Sequence, residues 1–303
     1  MDIFTHAVAI AVILFATGNT AFIPFGVLGA VIIDTDMAWI SIARRNPSLY
    51  LLHHAGFSHS FFGAMVLSAI SFGTTFALSS AGLLPVTITG AILVPAFAAV
   101  LAGAYLHLFL DWLAAPGLPL LYPLTERRFG LAMTPMPLYF LITLLSLGSI
   151  GFVFFRGLTM DLAVAFGAVL AGIVLICAVL KWLVHRRVAG RSYYALHPSQ
   201  WVVIQEEDPS YRVIVYDVFR GIASEQTFGK YRDITPEEAR LYDSPELRRH
   251  RYYSYISIAE RNDGEVRFHD PVREQGLLTY PPWYPSVRFG AATAGEPKRS
   301  SPG

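Results

Sequence analysis

Long apolar stretches separated by short polar ones fill the first 180 or so positions of the chain. No Asp, Glu, Lys or Arg occurs in residues 3–33, 46–110, 129–155 or 162–180. A helix that crosses a bilayer needs about 20 apolar residues, within a range near 17–25. The stretches therefore predict six helices, at about 3–18, 21–40, 59–81, 87–113, 136–156 and 161–184. Gly18-Asn19-Thr20 is a turn signal between the first two, and Leu84-Pro85 separates the third from the fourth. The first two are short enough to be tilted or only partly inserted. No Lys or Arg precedes the first apolar run, so it does not read as a signal peptide.

After about His185 the pattern changes. Residues 201–205 and 211–216 are rich in β-branched and aromatic residues, and Asp208-Pro209-Ser210 between them reads as a turn. Thr235-Pro236-Glu237-Glu238 has the cap, proline and third-position Glu of a helix start. Residues 251–258 and 265–269, joined across Asn262-Asp263-Gly264, read as a hairpin. The expected architecture is mainly α: a polytopic transmembrane helical bundle (residues 1–185), a small cytoplasmic α+β domain (192–290) and a disordered tail (291–303).

Composition sharpens this division. Of 303 residues, 54% are hydrophobic and 15% charged, against roughly 25% charged in soluble proteins. Only twelve charged residues fall before His185; the remaining 118 residues carry 33, an ordinary soluble density. A net charge of +1 leaves no basic excess for phosphate backbones, which argues against nucleic acid as a partner. The single cysteine, Cys177, excludes a disulfide framework or a thiolate metal cluster. If the six helices alternate, one face collects Arg44, Arg45, Arg127, Arg128, Lys181, Arg186, Arg187 and Arg191, and the other only Arg156. By the positive-inside rule the first face is cytoplasmic, with both termini inside.

Ionisable residues within membrane segments are costly and mark function. Here they are His6, Asp34, Asp36, His53, His54, His59, His107 and Asp111, and alternation places all of them at the cytoplasmic face. His107 and Asp111 are four apart and share a helix side. Asp34 and Asp36, two apart, do not share one: either the helix ends there or one points elsewhere. Gly56 lets the His54-Ala-Gly-Phe-Ser-His59 loop turn both imidazoles toward one centre. Imidazoles with carboxylates suit zinc, manganese or ferrous iron, with one or two ions. The expected metal ligands are His6, Asp34, His59, His107 and Asp111. Asp36 and His54 are expected as further ligands or proton carriers. Ser58 and Ser60 flank His59 without a separate Asp–His relay, so a serine nucleophile is the weaker reading. His185, His197, His250 and His269 are expected at the surface.

Thr5-His6, Gly29-Ala-Val-Ile-Ile-Asp34-Thr-Asp36, His54-Ala-Gly-Phe-Ser-His59-Ser60 and His107-Leu-Phe-Leu-Asp111 occur in that order, followed by Pro116-Gly-Leu-Pro-Leu-Leu-Tyr-Pro123-Leu124. Together, over about residues 1–156, they resemble the YdjM-like family of LexA-binding, inner-membrane-associated metal-dependent hydrolases. Two positions depart from the family pattern: Ile33 stands where a Pro is usual, and Ala55 where an Arg is usual. The resemblance implies hydrolase activity at an inner membrane. A site at headgroup level points to a phosphoester or lipid-linked substrate. The rival expectations are a non-enzymatic scaffold or regulator recruiting a cytosolic protein through residues 192–290, and a transporter. The transporter is disfavoured because the polar residues gather at one face.

Overall fold

The computed structural model describes residues 1–290 except 86, 115, 116, 135, 196 and 198, so the tail expected to be disordered and Pro116 of the family-like segment lie outside the described residues. The chain divides into two compact units: Met1–Arg45 with Leu51–Ala178, and Asn46–Tyr50 with the chain from Val179 onward.

The first unit is helical. Helix α1 (Ile3–Ala16) begins on Asp2, whose Oδ1 accepts the Thr5 N–H at 3.0 Å. Helix α2 (Ile23–Ile32) passes into a 3-10 helix (Ile33–Trp39) and then α3 (Ile40–Arg45). Helices α4 (Phe61–Ser80), α5 (Gly90–Ala114), α6 (Met136–Arg156) and α7 (Met160–Arg187) follow. Ser60 caps α4, its Oγ accepting the Gly63 N–H at 2.9 Å. Among the described residues, five helical stretches are long and apolar enough to cross a membrane: Thr20–Arg45, Phe61–Ser80, Gly90–Ala114, Leu138–Arg156 and Met160–Arg187. With the shorter apolar helix α1 they make up the expected six. The 14 residues of α1 extend only about 21 Å against a hydrocarbon core of about 30 Å. Phe140, Leu144, Phe154, Phe155, Val164 and Leu175 project from α6 and α7 uncovered by protein, as lipid-facing residues do.

The tightest helix pair is α2 with α5. A Cβ on Gly29 would lie 1.8 Å from the Val100 carbonyl oxygen, and one on Gly103 would lie 2.0 Å from that of Gly26. No side chain fits at either position, so the two backbones touch, as small residues permit between membrane helices. Ile33, Ala64, Ala104 and Leu108 close the core beside this contact. Helix α1 packs through Val8, Ala9 and Val12 on Leu110, Ala163 and Phe166.

The second unit holds two four-stranded sheets. Strands β1 (Arg191–Tyr194), β2 (Gln200–Glu207), β3 (Ser210–Asp217) and β4 (Gly221–Gly229) form an antiparallel meander. Strands β5 (Tyr231–Arg232), β6 (Ile258–Asn262), β7 (Glu265–His269) and β8 (Ser286–Phe289) form the other, with β5 parallel to β6. Helices α8 (Pro236–Arg240), α9 (Pro245–Tyr253) and α10 (Pro271–Glu274) are short. The Thr235–Glu238 capping box forms. The β6–β7 turn has positive φ at Asp263 (48°) and Gly264 (77°), matching a two-residue hairpin.

Two expectations fail here. Residues 251–253 end helix α9 and do not begin a strand, because Ser244 caps the Leu247 N–H and Pro245 opens the helix. The paired tyrosines at 252–253 had imitated a strand. His250 is buried, with Nδ1 2.9 Å from the Tyr284 carbonyl oxygen, to which it donates. Burial pushes its pKa down to about 4, so it is a neutral core residue.

The glycine contact yields a prediction. Gly103→Ala forces α2 and α5 apart and is expected to cost about 3 kcal/mol. Thermal unfolding in detergent checks this; a melting temperature equal to that of the unsubstituted protein contradicts it.

Candidate metal centre

Four segments carry the ionisable residues to one end of the first unit. His6 lies in the second turn of α1, and Asp34 and Asp36 in the 3-10 helix after α2. His54 and His59 come from the loop before α4, and His107 and Asp111 from the last two turns of α5. His6, His59 and His107 are fully buried, Asp36 and Asp111 are buried, and Asp34 and His54 are half-buried.

The inner cluster is built around two imidazoles. His59 Nε2 and His107 Nε2 lie 3.4 Å apart. Asp34 Oδ1 is 3.6 Å from the first and 3.5 Å from the second. Asp111 Oδ2 is 3.4 and 3.5 Å from the same two atoms. His6 Nε2 lies 3.3 Å from Asp111 Oδ1, and its ring stacks on that of His107 at a centroid distance of 3.6 Å. The amino group of Met1 also contacts Asp111 Oδ1. An outer cluster adjoins this one: Asp36 Oδ1 is 2.9 Å from His54 Nδ1, and Asp36 Oδ2 is 3.1 Å from His59 Nδ1. The Ser58 hydroxyl donates to Asp36 Oδ2 and lies 2.8 Å from His59 Nδ1.

Hydrogen bonds at the back of each ring decide which nitrogen faces inward. A carbonyl only accepts, so the 2.7 Å contact between His107 Nδ1 and Ala30 O places the proton on Nδ1. The Ser58 hydroxyl gives its own proton to Asp36 Oδ2, so its oxygen accepts the Nδ1 proton of His59 at 2.8 Å. In the neutral rings both Nε2 atoms then present lone pairs to each other at 3.4 Å, an arrangement that calls for an electrophile. His6 Nδ1, His6 Nε2 and Asp34 Oδ1 are buried and make no hydrogen bond, a state that costs free energy unless something else satisfies them. Spacings of 3.4–3.6 Å are those of two ligand atoms each about 2.0–2.1 Å from a common ion. Among the described residues, three donor triads have ligand atoms within 4.8 Å of one another: His6, His107 and Asp111; Asp34, His59 and His107; Asp36, His54 and His59.

Local chain geometry explains the convergence. Asp34 and Asp36 both aim inward because α2 tightens into a 3-10 helix at Ile33, so neither of them diverges. In the loop before α4, Ala55 is buried with φ 62°. Gly56 has φ −104° and ψ −127°, and a Cβ there would lie 2.0 Å from Leu51 O. This tight loop turns His54 and His59 to the two oxygens of Asp36. His53 is buried but belongs to none of the three triads.

Five contributors escaped the sequence reading. Ser58 was seen only as a neighbour of His59. Ala30 acts through its carbonyl, which no side-chain pattern reveals. Gly29 and Gly103, spaced by helical turns from Asp34 and His107, bring that carbonyl within reach. Asp2 accepts the hydroxyls of Thr5 (2.6 Å) and Thr143 (2.8 Å), tying the start of α1 to α6 and so seating His6; its signal was the Asp-x-x-Thr helix start.

Residues 1–188 match the model of the YdjM inner membrane protein family. The chain belongs to that family. With its several long apolar helices, it is a membrane protein. The YdjM match extends past the region of about residues 1–156 expected from the motifs, through α7. Both sheets lie beyond it. No curated protein and no solved structure matches the chain.

Proposed function

We propose that this YdjM family member is a metal-dependent hydrolase of the membrane surface. The observation that supports it is the meeting of His59 Nε2, His107 Nε2, Asp34 Oδ1 and Asp111 Oδ2 at mutual N–N and N–O distances of 3.4–3.6 Å. These four residues, with His6 beside them, would hold a divalent cation. A donor set of imidazole and carboxylate without thiolate fits zinc, and manganese or ferrous iron by the same chemistry. A single ion is the proposed occupancy, because His59 Nδ1 is already engaged by Ser58 Oγ and leaves the outer triad incomplete. Such an ion supplies Lewis acidity toward a phosphoryl or carbonyl oxygen and lowers the pKa of water.

The chain's own residues take the remaining roles. Ala30 O holds the Nδ1 proton of His107, and Ser58 Oγ, itself bonded to Asp36, holds that of His59, fixing both rings with Nε2 inward, as outer hydrogen-bond partners do in metal sites. Asp36 thus acts as a positioning residue. His54, with its side chain 21% exposed and Nδ1 on Asp36, is the candidate acid for a leaving group. Arg44 and Arg45, on the same side as the site by the alternation of helices, favour an anionic substrate such as a phosphoester or a lipid-linked phosphate. The excess of Arg and Lys on that side supports a cytoplasmic orientation of the site and of both termini.

A second reading is favoured by the full burial of His6, His59 and His107: a closed, non-enzymatic metal-binding scaffold, with a cytosolic partner on the C-terminal unit.

Metal analysis of the purified full-length protein separates these. About one equivalent of divalent metal is expected in the unsubstituted protein and little in His107→Ala or Asp111→Ala. Asp36→Asn is expected to weaken metal affinity about 10–100-fold. Equal metal in all four proteins contradicts the site. Metal with turnover of aryl phosphate or carboxylic ester probes supports the hydrolase; metal without turnover of either supports the scaffold. A cysteine placed beside Arg127 is expected to be labelled only from the cytoplasmic side, and labelling only from outside reverses the orientation.

A further inference from the structure

The β3–β4 turn exposes what the rest of its sheet buries. Val218 is buried with Val184, Trp201 and Val203, yet Phe219 beside it is 80% exposed and Ile222, at the start of β4, is 57% exposed. This is not a loose tip. Asp217 Oδ1 accepts the N–H groups of Phe219 (2.9 Å) and Arg220 (3.1 Å), while its Oδ2 accepts the Ser199 hydroxyl (2.7 Å). The Val218 N–H donates to Ser199 O at 2.9 Å. The Arg187 guanidinium donates to Val218 O (3.4 Å) and to Tyr216 Oη (3.2 Å). A braced turn holds a phenylalanine and an isoleucine outward, against the usual direction of the hydrophobic effect.

The brace connects it to the end of a membrane helix. Arg187 is the last residue of α7, whose 28 residues extend about 42 Å, longer than a hydrocarbon core of about 30 Å. The charge-free run of that helix ends at Leu180, so its final two turns reach the headgroup level. Trp182 is exposed there, with the Arg186 guanidinium 4.9 Å from its ring centroid. Exposed Trp beside Arg is the composition of a bilayer interface. Leu180, Leu183 and Val184 pack on the same sheet that carries the turn.

We propose that the β3–β4 turn is a second membrane contact, with Phe219 and Ile222 seated at the headgroup–acyl boundary and Arg220 on lipid phosphate. The bilayer is the occupant because the turn is fastened to the residues that already stand at the lipid surface, and because it sets the basic Arg220 between the exposed Phe219 and Ile222. The contact does not depend on the metal centre.

The test uses full-length protein carrying Cys177→Ala and Phe219→Cys, spin-labelled and reconstituted into phosphatidylcholine–phosphatidylglycerol vesicles. Collision with oxygen and with a water-soluble nickel chelate is read by power saturation. Glu207→Cys, at the far end of the β2–β3 hairpin from this turn, serves as the aqueous control. The proposal expects the oxygen-to-nickel accessibility ratio at position 219 to exceed that at 207 several-fold, and Ile222→Cys to repeat the result. Equal ratios at 219, 222 and 207 overturn it and leave the turn free for a soluble partner.

Discussion

Asp34, Asp36 and Asp111 are held among apolar helices with most water excluded, and a carboxylate withdrawn from water costs several kcal/mol unless charge or hydrogen bonds are returned to it. Their described neighbours are four imidazoles, the Ser58 hydroxyl and the Met1 amino group. Two of those imidazoles already give a proton outward, to Ala30 O and to Ser58 Oγ, and turn lone pairs toward the carboxylates. Such an assembly of lone pairs and carboxylate oxygens could hold a metal ion. Much of the first unit serves to build that assembly: the glycine contact of α2 and α5, the 3-10 turn at Ile33, the constrained Ala55-Gly56 loop and the Asp2 bracket on α1.

The membrane helices were legible in the sequence because lipid imposes a single rule, apolar residues for about 20 positions, and charge marks where it stops. Phe61–Ser80 and Met136–Arg156 fall within a few residues of their expected bounds. The break at Ile33 was only half visible. The Asp-x-Asp spacing showed that a regular helix could not serve both carboxylates, and a 3-10 segment was the solution not considered. His107 and Asp111 were legible by helical spacing; the loop pair His54 and His59 by the intervening glycine. Contacts made by backbone atoms were not, since a carbonyl such as that of Ala30 leaves no residue type behind. The Gly29 and Gly103 approach has a residue signal, but a glycine in an apolar helix has many uses and its partner lies far away in the chain.

The C-terminal unit was harder to read. Its two sheets share the chain with short helices whose tyrosines and arginines resemble strand and surface residues, so the last three residues of α9 read as the start of a strand and His250 as an exposed residue. What set α9 was local and polar, the Ser244 cap and Pro245 at its first turn. What buried His250 was the distant Tyr284 carbonyl, which accepts its Nδ1 proton. This unit lies beyond the family match, and its role follows from its own surface.

The central claim is that imidazole nitrogen and carboxylate oxygen from separate helices share one cation. X-ray absorption at the zinc edge of the zinc-loaded full-length protein reads that shell directly. The account predicts a shell of nitrogen and oxygen near 2.0–2.1 Å with the outer scattering of at least two imidazoles. A shell containing sulfur, or one of oxygen alone without imidazole scattering, would contradict it.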